Sequence, residues 1–234
     1  MKRLLLITIL LGCSCWATEL KIGQITDTRF DRTQRNNAES TRVLQMAERL
    51  ADIIVICGDL TYRFDGYDDL SSVLTELSVP VLVVVGNHDR IDAYLAVFGE
   101  SQWYYDIEEY RLIGIDSFNV DFDWLEMALD SEQIPIIVGH QPLLGGGYKP
   151  HLKNAVADQI IEMLTERNGF YLAGHSLQAK LKRIEVNCPH HIGHERATCV
   201  SAGVAYQGKF NLVTFVDGQL ESVLPIKVEK DLAK

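Results

Sequence analysis

Four times in this chain, a short apolar run ends in a glycine that is followed at once by a side chain able to bind a metal. The four pairs are Gly58-Asp59, Gly86-Asn87, Gly139-His140 and Gly174-His175. Carboxylate, amide and imidazole groups are oxygen and nitrogen donors that together suit a divalent cation such as Mn, Fe or Zn. Glycine lets the backbone turn sharply and approach whatever the next side chain holds. One pair alone is weak evidence, whereas four of them indicate a metal centre.

The apolar runs before these pairs predict the elements that position them. They occupy residues 53–57, 81–85, 134–138 and 170–173. Short continuous apolar runs of this kind are typical of buried parallel strands. Because α/β proteins place their chemistry at the carboxyl ends of such strands, we expect the four pairs to meet at one edge. We interpret 81–85 as the central strand.

Helices and further strands alternate with these runs. Apolar residues at helical spacing predict helices at 36–50, 68–77, 91–98, 122–129 and 153–167, and other strands are predicted at 20–25, 103–107 and 111–115. From Leu177 onward the pattern changes to short alternating strands at 179–186, 197–202, 209–216 and 220–223. This alternation predicts an antiparallel sheet packed against the first sheet.

The order and spacing of the glycine pairs resemble the calcineurin-like metallophosphoesterases, whose blocks are D-x-H, G-D, G-N-H-D, G-H and G-H-x-H. Residues 58–59, 86–89, 139–140 and 174–175 match these blocks, and the resemblance extends from about residue 21 to about residue 215. It implies an α/β fold, a four-layer α/β/β/α sandwich of two facing mixed sheets flanked by helices. It also implies an enzyme that hydrolyses phosphate esters with divalent metals.

In this family two metals share the Asp of the G-D block. The resemblance assigns one metal to four residues that are all present, namely Asp59, Asn87, His140 and His175. The second metal would take Asp27, Asp59 and two histidines, but Arg29 and Leu177 stand where those histidines belong. Arg29 carries only donors and stays charged, so it cannot bind a cation. Since both losses fall on one metal, we predict a mononuclear centre, with two metals as the alternative.

The role of Arg29 has two interpretations. Its guanidinium could replace the charge of the absent cation, pair with Asp27 and donate to phosphate oxygens. It could equally be a plain salt-bridge partner of Asp27, and Leu177 could simply pack. A further alternative is that His190, His191 and His194 complete a second metal site, although solvated loop histidines are the commoner explanation.

The resemblance also implies the chemistry. A bound divalent metal (Mn, Fe or Zn) would activate a hydroxide for in-line attack on the phosphorus. His88 would donate a proton to the leaving group, Asp89 would hold the local geometry, and Arg29 would stabilise charge on the phosphoryl oxygens. We favour a phosphodiester over a monoester, because small family members without a cap resemble the phosphodiesterase branch. The alternative is a binding or scaffold protein that keeps the fold without turnover.

Loops beyond the predicted strand ends carry residues that could shape a substrate pocket or merely cover the edge of the core. These are Tyr62, Arg63, Phe64 and Tyr148. The sequence does not decide between the two interpretations.

Composition and charge indicate how many domains the chain forms and which classes of substrate it can bind. The chain has 234 residues, 47% of them hydrophobic, which suits one domain over 18–234. Its formal charge of −10 becomes −12 if Lys2 and Arg3 are removed. Because such a surface repels polyanions, we expect a small-molecule phosphate ester as substrate and no nucleic acid.

The first residues have the three parts of a secretory signal, with Lys2 and Arg3, an apolar run at 4–11 and small residues up to Ala17. We therefore predict a signal peptide over 1–17 and a periplasmic or secreted protein. The alternative is a lipoprotein signal over 1–12 that leaves a lipidated Cys13, the one case in which we expect membrane association. In an exported protein Cys188 and Cys199 would favour a disulfide.

Overall fold

The structure is a computed structural model that describes residues 18–62, 66–143, 152–175, 180–183 and 198–229. Its strands form two six-stranded sheets. In chain order they are β1 (Glu19–Thr26), β2 (Ile53–Ile56), β3 (Val81–Val83), β4 (Trp103–Ile107), β5 (Tyr110–Gly114), β6 (Ile134–Gly139), β7 (Phe170–Ala173), β8 (Lys180–Arg183), β9 (Thr198–Ser201), β10 (Gly203–Val204), β11 (Lys209–Val216) and β12 (Gln219–Lys227). The helices are α1 (Gln34–Glu48), α2 (Gly66–Thr75), α3 (Ile91–Phe98), α4 (Phe122–Leu129) and α5 (Asn154–Glu166), with a 3₁₀ turn at Ala205–Gln207.

The first sheet has the order β12-β11-β1-β2-β3, and β10 pairs with the end of β1. Strands β1, β2 and β3 are parallel, whereas β11 and β12 run antiparallel. The second sheet has the order β4-β5-β6-β7-β9-β8, with β5, β6, β7 and β9 parallel. Both sheets are therefore mixed, and each has a parallel block whose carboxyl ends share one edge.

Three apolar clusters show how the layers pack. One lies between the sheets and includes Ile22 and Val55 of the first sheet and Val138 and Leu172 of the second. A second cluster joins the first sheet to α1, α2 and α3, and a third joins the second sheet to α4 and α5. The predicted four-layer arrangement, with helices outside two facing sheets, is confirmed.

Two predictions about strands were wrong. Residues 81–85 do not form a central strand, because β3 ends at Val83 and lies at the edge of the first sheet. After α3 the chain passes to the second sheet, and no strand in the described segments pairs with the outer side of β3.

The strands after Leu177 were predicted to form a separate antiparallel sheet. Instead, β8 and β9 extend the second sheet beside β7, and β11 and β12 extend the first sheet beside β1. Period-two alternation predicts that a segment is a strand with one buried face, but the partner of that strand is set by distant parts of the chain.

Several predicted features lie outside the described residues. They are the signal segment 1–17, Arg63, Phe64, Tyr148, Leu177, Cys188 and the histidines at 190, 191 and 194. Cys199 is buried in β9. None of the described helices combines the length and the apolar composition that crossing a membrane requires.

Candidate metal centre

Four turns at the carboxyl ends of the strands bring the predicted metal ligands together. The Nε2 atom of His140 lies 2.9 Å from Oδ1 of Asn87 and 2.9 Å from Nδ1 of His175. The same nitrogen lies 3.4 Å from Oδ1 of Asp59. His140 and Asp59 are fully buried, whereas Asn87 is exposed, so the group opens towards solvent on one side.

Two glycines allow the turns to approach one another. A Cβ atom at Gly86 would stand 2.1 Å from the backbone nitrogen of Asp59. A Cβ atom at Gly58 would stand 2.6 Å from Nδ1 of His140, and Gly58 has a φ of +82°. Any other residue at either position would push the turns apart, which explains why glycine precedes a ligand at these strand ends.

Four residues at this edge have left-handed backbone conformations that side chains rarely adopt. The φ angles are 54° at Asp27, 45° at Arg29, 57° at Asp59 and 56° at His175. Each such residue costs free energy, and strained backbone of this kind gathers at functional sites. The strain supports the interpretation of this edge as a site.

The ring of His140 presents a lone pair to the centre of the group. Its Nδ1 atom lies 2.7 Å from the carbonyl oxygen of Cys57, which can only accept a hydrogen bond. Nδ1 therefore carries the hydrogen in the neutral ring, and Nε2 keeps its lone pair. That lone pair faces the amide oxygen of Asn87, so two acceptors lie 2.9 Å apart. In the neutral ring, a cation between them would satisfy both.

The donor set fits one divalent cation. Ligands bound about 2.1 Å from a metal lie about 3 Å from their neighbours, close to the separations around Nε2 of His140. In the described part of the chain, no three or more His, Cys, Asp and Glu side chains are already arranged to hold a metal. The approach of Asn87 to His140 therefore carries the fit, since it leaves two acceptors 2.9 Å apart in the neutral ring.

Arg29 occupies the other half of the site. Its Nε donates to Oδ1 of Asp27 at 2.8 Å, and its Nη2 donates to Oδ2 of Asp59 at 3.1 Å. The Nη2 atom also lies 2.6 Å from Oδ1 of Asp27. These side chains are largely buried, with 15% of Arg29 exposed. The guanidinium thus lies between the two carboxylates that would bind a second metal, and this half does not fit a cation.

The carboxylates respond differently to this environment. Burial and the negative charge of Asp59 raise the pKa of Asp27, although Arg29 opposes them. Burial also acts to raise the pKa of Asp59, but His140, the backbone N–H of His88 and Arg29 outweigh burial and lower it. The surroundings therefore favour the charged form of Asp59 more than that of Asp27.

His175 is suited to act as a neutral ligand. Burial, together with His140, His88 and Arg29, lowers the pKa of His175 to about 4. At neutral pH its ring carries no charge, so a nitrogen lone pair is available to a cation.

His88 and Asp89 have different surroundings. The side chain of His88 is 43% exposed, and its Nε2 lies 3.9 Å from Oδ2 of Asp59. Asp89 instead faces inward, where its Oδ1 accepts from the backbone of Leu60 and Thr61 and from the Tyr67 hydroxyl. This matches the expectation that Asp89 holds the geometry, whereas His88 stands where a substrate could reach it. Their catalytic roles stay predictions.

The side chain of Asp89 also bonds to the backbone of its own turn. Its Oδ2 accepts from the backbone N–H of Gly86 at 2.8 Å. One carboxylate therefore ties the turn after β2 to the turn after β3. Burial raises the pKa of Asp89 to about 6, although the backbone N–H groups that it accepts from act against this rise.

Two aromatic side chains that the sequence did not predict, Phe118 and Tyr206, flank the site. Phe118, 46% exposed, has its ring centre 6.1 Å from that of His140. The guanidinium of Arg29 lies over the ring of Tyr206, 5.3 Å from its centre. Phe118 follows a parallel strand, which was a usable signal. Tyr206 follows the two-residue strand β10, which leaves no local pattern to detect.

This chain is similar in sequence to known proteins. A sequence profile described as calcineurin-like phosphoesterase matches residues 20–179. A probable cyclic nucleotide phosphodiesterase of Synechococcus sp. is 26% identical over 70% of this chain and 75% of its own. Another protein of that name, from Rhodopseudomonas palustris, is 24% identical over 83% of this chain and 81% of its own.

Solved structures share the architecture at low sequence identity. A purple acid phosphatase from yellow lupin seeds has a TM-score of 0.63 at 14% identity, covering 90% of this chain and 54% of its own. A dimetal phosphatase from Danio rerio has a TM-score of 0.59 at 13% identity, covering 90% and 99%. GAP50, described as the anchor in the inner membrane complex of Plasmodium, has a TM-score of 0.59 at 14% identity, covering 91% and 90%.

Proposed function

The chain belongs to the calcineurin-like phosphoesterase family, and on that basis we propose that it is a metal-dependent phosphodiesterase that works with one divalent cation. The relatives named as probable cyclic nucleotide phosphodiesterases support a small phosphodiester, and a cyclic nucleotide in particular, as its substrate. Mn, Fe and Zn all suit the donor set of Asp59, Asn87, His140 and His175.

The observation that carries the proposal is the position of Arg29. Its guanidinium donates to Asp27 and to Asp59, the two carboxylates that would bind a second metal. Arg29 therefore supplies positive charge in that half of the site. Because 15% of its side chain remains solvent-accessible, Arg29 is also placed to donate to the phosphoryl oxygens of a substrate.

A divalent cation held by the four donors would polarise the phosphoryl group and lower the pKa of a water ligand. Arg29 orients the phosphoryl group and balances the charge that develops on its oxygens. When phosphorus gains an oxygen from water, its bond to the ester oxygen breaks, and the water gives one proton to solvent. His88 gives its proton to that oxygen, which becomes a hydroxyl group and, in a cyclic nucleotide, stays attached to the same ribose. Asp89 keeps this turn in place through its backbone hydrogen bonds.

Hydrolysis assays on metal-reconstituted protein test the proposal. We expect cleavage of a cyclic nucleotide or of bis(p-nitrophenyl) phosphate with Mn²⁺, Fe²⁺ or Zn²⁺, and its loss in His175→Ala. The control is Asp92→Ala, since Asp92 is an exposed residue that pairs with Arg90 on the surface. Absence of hydrolysis with every metal, in protein that binds metal, would contradict the proposal.

We also propose that the protein works outside the cytoplasm, in the periplasm or as a secreted protein, with a lipoprotein anchored at Cys13 as the alternative. The basic, apolar and small-residue parts of segment 1–17 support export. Mass spectrometry of the mature amino terminus distinguishes a chain that starts at Thr18 from one that starts at a lipidated Cys13. An uncleaved amino terminus would contradict both.

A binding or scaffold protein is the second candidate, and the same contact favours it. A guanidinium that neutralises Asp27 and Asp59 could preserve the fold after turnover is lost. GAP50, described as an anchor, has the same fold, which is compatible with this role. The double change Arg29→His with Leu177→His discriminates between them. Hydrolysis that appears only in the double variant would identify the native chain as inactive.

A further inference from the structure

A row of alternating arginine and tyrosine side chains leads away from the candidate metal centre. Arg29 lies over Tyr206, with its guanidinium carbon 5.3 Å from the ring centre. Arg32 lies 5.6 Å from the centre of the same ring and 5.4 Å from that of Tyr62. Separations below about 6 Å are those of cation–π contacts. The four side chains thus form one continuous wall, in the order Arg29, Tyr206, Arg32 and Tyr62.

Backbone hydrogen bonds fix this wall to the site. The N–H of Tyr62 donates to the carbonyl of Phe30 at 2.8 Å, and the N–H of Tyr206 donates to the carbonyl of Asp27 at 3.4 Å. The N–H of Arg29 donates to the carbonyl of Asp59 at 3.1 Å. The wall is therefore built on the same turns that position Arg29, so its distance from the centre is set by the fold.

The outer end of the wall is open to solvent and chemically suited to a planar ring. Tyr62 is 49% exposed, and Arg32 is exposed as well. Arg32 forms no ion pair with any carboxylate in the described ranges, and the contacts it does make are with the rings of Tyr62 and Tyr206. An exposed tyrosine next to a guanidinium that pairs with no carboxylate among the described residues can stack on a nucleobase, and the guanidinium can donate to the acceptors of the base.

We propose that Tyr62, Arg32 and Tyr206 form the base-binding wall for a nucleotide substrate whose phosphate lies between Arg29 and the metal donors. This inference rests on the proposed function, since it needs a phosphate at that position. The proposal places the base beside Tyr206, whose ring centre lies 5.3 Å from the guanidinium carbon of Arg29 and 5.6 Å from that of Arg32. It assigns the substrate class as a nucleoside phosphodiester and makes Tyr62 and Arg32 specificity residues.

Equilibrium binding by calorimetry to Mn²⁺-loaded protein tests the proposal without needing turnover. The probes are 5′-AMP and ribose 5-phosphate, which share the sugar phosphate and differ in the base. We expect 5′-AMP to bind at least about tenfold more tightly than ribose 5-phosphate, as expected for one stacked base. Tyr62→Leu and Arg32→Gln should each remove most of this difference and leave the affinity for ribose 5-phosphate unchanged.

Tyr104→Leu is the matched control. Tyr104 is 51% exposed on β4 and lies under Arg111, with the guanidinium carbon 4.5 Å from its ring centre, in the sheet that does not carry the wall. This variant should keep the full preference for 5′-AMP. Circular dichroism and melting temperature check that each variant is folded.

The outcomes separate the two proposals. Equal binding of both probes by the wild type, or a preference that survives both Tyr62→Leu and Arg32→Gln, would overturn the base-binding wall while the phosphate site stands. Binding of neither probe would overturn the proposed function and the wall together.

Discussion

The Nη2 atom of Arg29 lies 3.1 Å from Oδ2 of Asp59, the carboxylate that the family's two metals share. In this chain the carboxylate therefore faces a guanidinium on one side and, on the other, Nε2 of His140, 3.4 Å from its Oδ1, which itself contacts Asn87 and His175. An arginine delivers charge and fixed hydrogen-bond directions, but it has no lone pair and no Lewis acidity. One side of Asp59 is thus fitted for a metal cation. The other side already pairs with the positively charged guanidinium of Arg29.

Removing the guanidinium should destabilise the fold, because two buried carboxylates then lack their partner. We expect Arg29→Gln to lower the free energy of unfolding by about 2 kcal/mol, less than a fully buried pair would lose. Adding Asp27→Asn should recover most of this loss. Urea denaturation of metal-free protein measures both effects.

The control for this change is Lys21→Gln, which breaks the exposed pair with Glu19 at 2.8 Å. Exposed pairs contribute little, so this variant should differ from the wild type by less than about 1 kcal/mol. If Asp27→Asn further weakens the Arg29→Gln protein, the two carboxylates do not repel one another as described.

Replacing His88 should affect poor leaving groups more than good ones. A general acid matters most when the leaving oxygen needs a proton, and its removal typically costs about 10²–10⁴ in rate. We expect His88→Ala to lose about that much with a cyclic nucleotide and about tenfold or less with bis(p-nitrophenyl) phosphate, at unchanged metal content. Equal losses with both substrates would exclude His88 as the acid.

Asp89 should prove to be a positioning residue. Asp89→Ala would leave the backbone N–H groups of Leu60, Thr61 and Gly86 without their acceptor, so we expect a loss of about 3 kcal/mol in unfolding free energy. Asp89→Asn keeps part of this network and should lose about 1 kcal/mol. Chemical denaturation measures the two values, with Asp92→Ala as an exposed control. Similar losses for Ala and Asn would show that the acceptor network is not what holds the turns.

Buried tyrosines predict the response to alkaline pH. Burial raises the pKa of Tyr94 and of Tyr171 above the usual value of 10.0. Above pH 10 the unfolded chain releases these protons while the folded chain keeps them, so stability falls as pH rises from about 10. Tyr94→Phe loses a hydrogen bond to the carbonyl of Val83, yet its stability should fall less steeply between pH 9 and pH 11. Denaturation curves that shift in parallel for both proteins would contradict this.

The sequence was sufficient for features that depend on local patterns. Helices at 91–98 and 122–129 and strands at 103–107, 170–173 and 209–216 have the predicted bounds. The glycine pairs lie at one edge as expected, because parallel strands in both sheets present their carboxyl ends there. Contact between Arg29 and Asp27 was also foreseen, since only one residue separates them.

The rest depends on contacts between distant parts of the chain. Tyr206 reaches Arg29 because β10 pairs with the end of β1, and a two-residue strand has no periodicity to detect. Two other features also depend on the assembled fold: β3 lies at the edge of its sheet, and the strands after Leu177 are divided between the two sheets. Which strands pair is determined by packing in the folded core, so the sequence of a single segment does not predict it.

The amount of metal per chain is the most direct test of the central claim that Arg29 takes the place of a second cation. Elemental analysis should follow reconstitution of mature protein with Mn, Fe or Zn and removal of loosely bound ions. We predict about one metal per chain in the wild type, lost in His175→Ala, and about two in Arg29→His with Leu177→His. Two metals per wild-type chain would contradict the claim and point to the histidines at 190, 191 and 194 as the missing ligands.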